Sequence, residues 1–83
     1  MPYTIYVLHS VEGYTYVGMT NDLERRLREN KSGQSSYTRK STGWDLVYKE
    51  EVPTREEARR REKYFKSHAG TEWLQRRGII LLK

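Results

Sequence analysis

The chain contains no cysteine and only two histidines, His9 and His68. Neither a disulfide framework nor a closed zinc site of the usual nitrogen and sulfur type can therefore staple the fold. Any metal has to be held by oxygen ligands, which points to Mg2+ or Mn2+. The 83 residues leave room for one domain, expected over residues 1–83. A domain of this size buries only about two-thirds of its unfolded surface, so its core is thin.

The order of elements can be read along the chain. Tyr3 to His9 is rich in β-branched and aromatic residues and reads as a strand. Ser10 to Gly13 has turn chemistry, and Tyr14 to Gly18 reads as a second strand, so the pair forms a hairpin. Asn21-Asp22 starts a helix that continues from Leu23 to about Asn30. Lys31 to Gly43 is polar and reads as a loop, and Trp44 to Val52 as a third strand ended by Pro53. Thr54 and Glu57 form a capping box that opens a helix running to about Ser67. Ala69-Gly70 is expected to break it, Thr71 to Arg77 to form a short last helix ended by Gly78, and the tail Ile79 to Leu82 is apolar. The expected fold is α+β, in the order β-β-α-β-α-α, with a three-stranded, largely antiparallel sheet flanked by helices.

Lys and Arg number 16 against 11 Asp and Glu, a net charge of +5. This suits a polyanionic partner such as nucleic acid, although a merely soluble basic protein has the same balance. No apolar run approaches the ~20 residues of a membrane span. The N-terminus starts directly with a strand-like segment, without a signal-peptide pattern, so the expected compartment is the cytoplasm. Lys31, Arg39 and Lys40 flank Tyr37 in the polar loop. They are candidate nucleic-acid contacts, with Tyr37 placed to stack on a base; an ordinary polar loop has the same composition.

Two helical positions break the burial pattern. In the first helix the apolar stripe through Leu23 and Leu27 also takes in Arg26 and Asn30. Arg26 is either a snorkelling residue at the core edge or a guanidinium aimed at a phosphate. On the solvated side Glu24–Arg28 and Arg25–Glu29 can pair. In the second helix the stripe through Ala58 and Phe65 takes in Arg61 and Glu62. An inward carboxylate is costly unless paired or metal-bound, so Glu62 is either half of an Arg–Glu salt bridge or a metal ligand. Four of the seven tyrosines, Tyr3, Tyr6, Tyr14 and Tyr16, fall in the hairpin, where a Tyr ordinarily packs half-buried with its hydroxyl in water.

Several of these segments together resemble one family. Thr4-Ile5-Tyr6 and Tyr16-Val17-Gly18 are similar to the paired tripeptides that name the GIY-YIG nucleases. Arg26, in Gly-Met-Thr-Asn-Asp-Leu-Glu-Arg-Arg-Leu, resembles the arginine of that family's first helix. Glu62, in Arg-Arg-Glu-Lys-Tyr-Phe-Lys, resembles its metal-binding glutamate. The likeness spans nearly the whole chain and is nearest to short stand-alone bacterial members, which end soon after a segment like Glu72-Trp73-Leu74.

The resemblance implies roles. Tyr6 would take the proton from the attacking water, and Tyr16 would hydrogen-bond and position. Gly18 would allow close packing beside Tyr16. Arg26 would stabilise the phosphate and Glu62 would hold one divalent cation, Mg2+ or Mn2+, with all four site side chains converging on one surface cleft. Thr4 stands where the family has Gly, and Val17 where it has Ile. Asn30 stands where many members carry His, and no Asn follows residue 30 where many carry one. The implied function is a metal-dependent, structure- or single-strand-directed DNA endonuclease, delivered where needed by a targeting protein partner. The alternative is a weakly active or non-catalytic nucleic-acid-binding module.

Overall fold

The computed structural model describes residues 2–31 and 43–80. Three strands, β1 (Tyr3–Ser10), β2 (Thr15–Thr20) and β3 (Trp44–Val52), form one antiparallel sheet in the order β2-β1-β3. The helices are α1 (Leu23–Lys31), α2 (Arg55–Lys66) and α3 (His68–Arg76). The architecture is the expected α+β one. Among the described residues no helix is long and apolar enough to cross a membrane.

The hairpin closes where the turn residues predict. Gly13 donates to the Ser10 carbonyl and Tyr14 donates to the Ser10 hydroxyl oxygen. Gly13 has φ +97°, the left-handed conformation of a bulged hairpin turn that glycine adopts at no steric cost. Between β1 and β3 the register shifts at Val7/Leu8. One extra β3 residue is accommodated there, and the consecutive Val47 and Tyr48 both pack on the same core.

That core lies on one face of the sheet. Ile5, Val7 and Val17 meet Ala58 and Phe65 of α2, Leu74 of α3 and Ile80. Tyr48, Phe65 and Trp73 form an aromatic triangle with centroids 5.4–5.6 Å apart. The Arg61 guanidinium lies over the Phe65 ring, 4.9 Å from its centroid, and reaches across to β3. There it grips Glu50 through two nitrogens at 2.6 and 3.0 Å, while the Tyr48 hydroxyl donates to the same carboxylate at 2.8 Å.

Arg61, and after it Tyr48, hold the Glu50 carboxyl below its ordinary value against the opposing effect of burial. A depressed carboxylate stabilises the fold above its unfolded-state value, and the contribution is lost as pH falls through the acid range. Arg61 is partly exposed, so the pair is worth about 1 kcal/mol at neutral pH. Glu50→Gln is expected to lower the urea midpoint at neutral pH, with the gap to wild type closing in acid. A gap independent of pH would contradict this linkage.

The α2–α3 junction differs from the sequence expectation. The break falls at Ser67, which ends α2 and caps α3 by accepting from the Gly70 amide. Gly70 lies inside α3, buried, where a Cβ would collide with the Tyr64 carbonyl oxygen and the Phe65 Cα. It is a close-approach position and not a helix breaker. Gly70→Ala gains about 1 kcal/mol of helix propensity but drives a methyl into backbone, at a cost of about 1–3 kcal/mol or more. We expect a net fall in melting temperature of roughly 5–15 °C by calorimetry; an unchanged value would show that the helices can slide apart without cost. At the other end of α3, Gly78 (φ +70°) and Ile79 donate to the Gln75 and Leu74 carbonyls, closing the helix as a Schellman motif.

Candidate active site

Alternation along the strands decides which tyrosines meet. Ile5, Val7 and Val17 point at α2, so Tyr6, Gly18 and Tyr16 point to the other face. Tyr6 pairs directly with Gly18 across the β1–β2 ladder, and Tyr16 pairs with Leu8. The sequence expectation set Gly18 beside Tyr16, but the register sets it opposite Tyr6. A Cβ at position 18 would lie 2.5 Å from the Tyr6 hydroxyl oxygen and 2.6 Å from Cζ. The missing side chain is thus the space in which the Tyr6 ring lies. Tyr6 is fully buried, and the Tyr16 ring sits diagonally beside it at 6.0 Å, half-buried.

Arg26 joins the two tyrosines from α1. The Asp22 side chain caps that helix by accepting from the Arg25 amide, and the Asp22 carbonyl accepts from Arg26 N–H. The guanidinium bonds the Glu29 carboxylate at 3.2 Å, so Glu29 is taken by Arg26 and not by the expected Arg25. Its pKa is raised, first by the nearby Tyr6 hydroxyl, then by Tyr16 and by the bond to Glu29, against burial. Its side chain stays 35% exposed. A guanidinium so placed keeps its charge at every working pH and offers donors outward.

Glu62 approaches from α2. Arg61 and Glu62 occupy opposite flanks of the buried Ala58–Phe65 line. The Arg61 flank faces β3 through Glu50, so the Glu62 flank faces β2. Phe65 and Lys66 there line an open groove of about 320 Å³ with Thr15, Tyr16 and Val17 of β2 and Thr71 of α3. The Glu62 carboxylate is 22% exposed and bonds Lys66 at 3.6 Å. The structure therefore brings Tyr6, Tyr16, Gly18 and Arg26 into one cluster. The described ion pair of Glu62 runs to Lys66, at the rim of the groove that Tyr16 lines, and not into that cluster. Among the described residues Glu62 has no arginine partner: Arg61 serves Glu50.

Lys66 and Thr71 do not stand out in the sequence. Lys66 is legible only as the cation at i+4 from Glu62, whereas Thr71 reaches the groove only because α3 starts early. Lys31 is the last residue of α1. Tyr37, Arg39 and Lys40 lie outside the described residues.

The donor set fits a hard divalent cation. Among the described residues no three His, Cys, Asp or Glu side chains cluster, so a cation at Glu62 would rest on one carboxylate and keep most of its waters, as Mg2+ does. The long bond to an exposed lysine leaves that carboxylate lone pairs to give.

Known proteins resemble this chain over most of its length. Residues 2–76 match the family model of the GIY-YIG catalytic domain. A UPF0213 protein of Bacillus pumilus is 41% identical over 63 residues, which cover 75% of this chain and 64% of that protein. UPF0213 protein SAG0778 of Streptococcus agalactiae is 37% identical over 67 residues, covering 80% and 76%. A UPF0213 protein of Limosilactobacillus reuteri is 34% identical, covering 98% and 91%. In three dimensions the chain is similar to the solution NMR structure of UPF0213 protein BH0048 from Bacillus halodurans, with a TM-score of 0.56 and 35% identity over 89% of this chain and 82% of that one. Sequence profile, relatives and fold agree that this chain belongs to the GIY-YIG nuclease family.

Proposed function

We propose that the chain hydrolyses nucleic-acid phosphodiester bonds, with DNA as substrate and Mg2+ or Mn2+ as cofactor. The observation that carries this reading is the Arg26 guanidinium set close to the Tyr6 hydroxyl, with the Tyr16 ring beside Tyr6. A phosphodiester is anionic and repels its nucleophile, so positive charge fixed beforehand at the phosphate is the main requirement. Arg26 supplies such a charge with donors left over. Tyr6 and Tyr16 form a pair, one dry and one half-buried, toward which the proton of the attacking water leaves. A neutral tyrosine is a weak base near pH 7. The coupling between Arg26 and Tyr6 is reciprocal, so the guanidinium favours the phenolate as the phenolate favours the guanidinium. Glu62 would hold the divalent cation, which when bound adds positive charge at the scissile phosphate.

The complete burial of Tyr6 favours a second reading, a domain that holds nucleic acid without cutting it. A cleavage assay on mixed single-stranded, duplex and branched DNA separates the two. The first reading expects cutting with Mg2+ or Mn2+ and none with EDTA. Binding without metal-dependent products on every substrate would leave the second.

A further inference from the structure

The outer flank of α2 carries a row of charges that the fold itself does not use. Arg55, Arg59, Glu62 and Lys66 follow one another at i, i+4, i+7 and i+11 and form one ridge, with Lys63 beside it. Arg55, Arg59, Lys63 and Lys66 are all exposed. Lys66 bonds Glu62, but none of the ion pairs among the described residues involves Arg55, Arg59 or Lys63. On α3 and its cap the exposed cations are occupied: Arg76 by Glu72 and Arg77 by the face of Trp73.

Such a row is unfavourable for the helix alone. Like charges one turn apart repel, as Arg55 with Arg59 and Arg59 with Lys63 do here. Arg55 also sits in the first turn, where the helix dipole disfavours a cation. A solvated surface helix alternates signs, as α3 does with His68, Glu72 and Arg76. The flank in question is also the one turned toward β2, where Lys66 enters the groove with Tyr16.

We propose that this ridge seats the phosphodiester backbone of a DNA strand, with Arg55 and Arg59 on phosphates to one side of the bond at Glu62, and Lys63 and Lys66 to the other, Lys66 at the groove. The inference rests on the nuclease reading for the place of the bond, and on charge alone for the binding. From Arg55 to Lys66 the ridge runs about 16 Å, the axial length of about five nucleotides of a duplex strand.

The test is binding without chemistry. A short fluorescein-labelled DNA duplex is titrated in EDTA between about 50 and 200 mM salt by anisotropy. Wild type is compared with Arg55→Gln/Arg59→Gln and with a control of equal charge, Arg76→Gln/Arg77→Gln, after melting curves show all three folded. Removing one cation that neutralises a phosphate should reduce the slope of log affinity on log salt by roughly 0.7–0.9, which weakens binding roughly five- to eightfold at 0.1 M salt. The ridge pair should show about two such steps and the control none. Equal weakening in both pairs, an unchanged slope in the ridge pair, or no binding by wild type would each overturn the proposal. A ridge that binds in a chain that never cuts keeps this inference and removes the nuclease reading. Normal cutting with an unchanged slope does the reverse.

Discussion

Glu62→Gln is expected to lower cleavage by at least two to three orders of magnitude while the protein stays folded. The substitution keeps size and hydrogen-bonding shape and removes only the charge that a divalent cation needs. Loss of the bound cation takes several kcal/mol from transition-state stabilisation, and each 1.4 kcal/mol is about tenfold in rate. The stability side follows from the surroundings of the side chain. Glu62 is mostly buried, and its ion pair is a long one to an exposed lysine. An exposed helical i, i+4 pair is worth about 0.3–0.5 kcal/mol, and relief from burying the carboxylate offsets part of that. The melting temperature should therefore move little. Had Glu62 been gripped by an arginine as Glu50 is, the same change would cost about 3–5 kcal/mol. A nuclease assay beside a melting curve decides the matter. A variant that melts far lower yet cuts normally where folded would remove Glu62 from the site.

Tyr6→Phe is expected to cost about 10²-fold or more in cleavage, the range for a positioned proton-transfer group. The ring that fills the space above Gly18 remains, so packing is kept. What goes is the hydroxyl that lies beside Arg26. Single-turnover rates are the measurement, because they separate chemistry from product release. Binding to DNA in EDTA should be unchanged within about twofold, since one hydroxyl sealed from solvent touches no phosphate directly. A Phe variant cutting at the wild-type rate would show that Tyr6 is a core residue and leave Tyr16 alone to act.

Local chemistry makes some of this legible and long-range pairing hides the rest. β3 is found to the residue from its β-branched and aromatic run and the proline behind it. The caps Asp22 and Thr54 mark their helices because a side-chain oxygen there meets an orphan amide. The start of α3 is harder to place because Gly70 has the composition of a breaker while serving as a close-approach position, and composition cannot tell the two apart. In the site, the burial violations at Arg26 and Glu62 stand out by periodicity. Their partners do not. That Arg26 takes Glu29, that Arg61 crosses to Glu50, and that Gly18 lies opposite Tyr6 all depend on rotamer and register, which no single segment encodes. The pairing of Tyr6 with Arg26 is likewise a product of the β1–β2 register and the position of α1.

The strand order β2-β1-β3 has a consequence for how the protein is made. β1 is the middle of the sheet, yet it leaves the ribosome first. Its partner β2 follows within one turn, so the hairpin can close early by local pairing. Its second partner is distant: Ser10 waits for Trp44 and Tyr3 for Val52. Until then β1 presents an unpaired edge carrying Ile5, Val7 and Leu8, the kind of surface on which nascent chains associate with one another. The helix that covers those residues, α2, is made later still. Synthesis therefore passes through an interval in which the most apolar strand is both half-paired and uncovered, and the positive excess of the chain, which lies beyond β3, is not yet made to keep neighbouring copies apart.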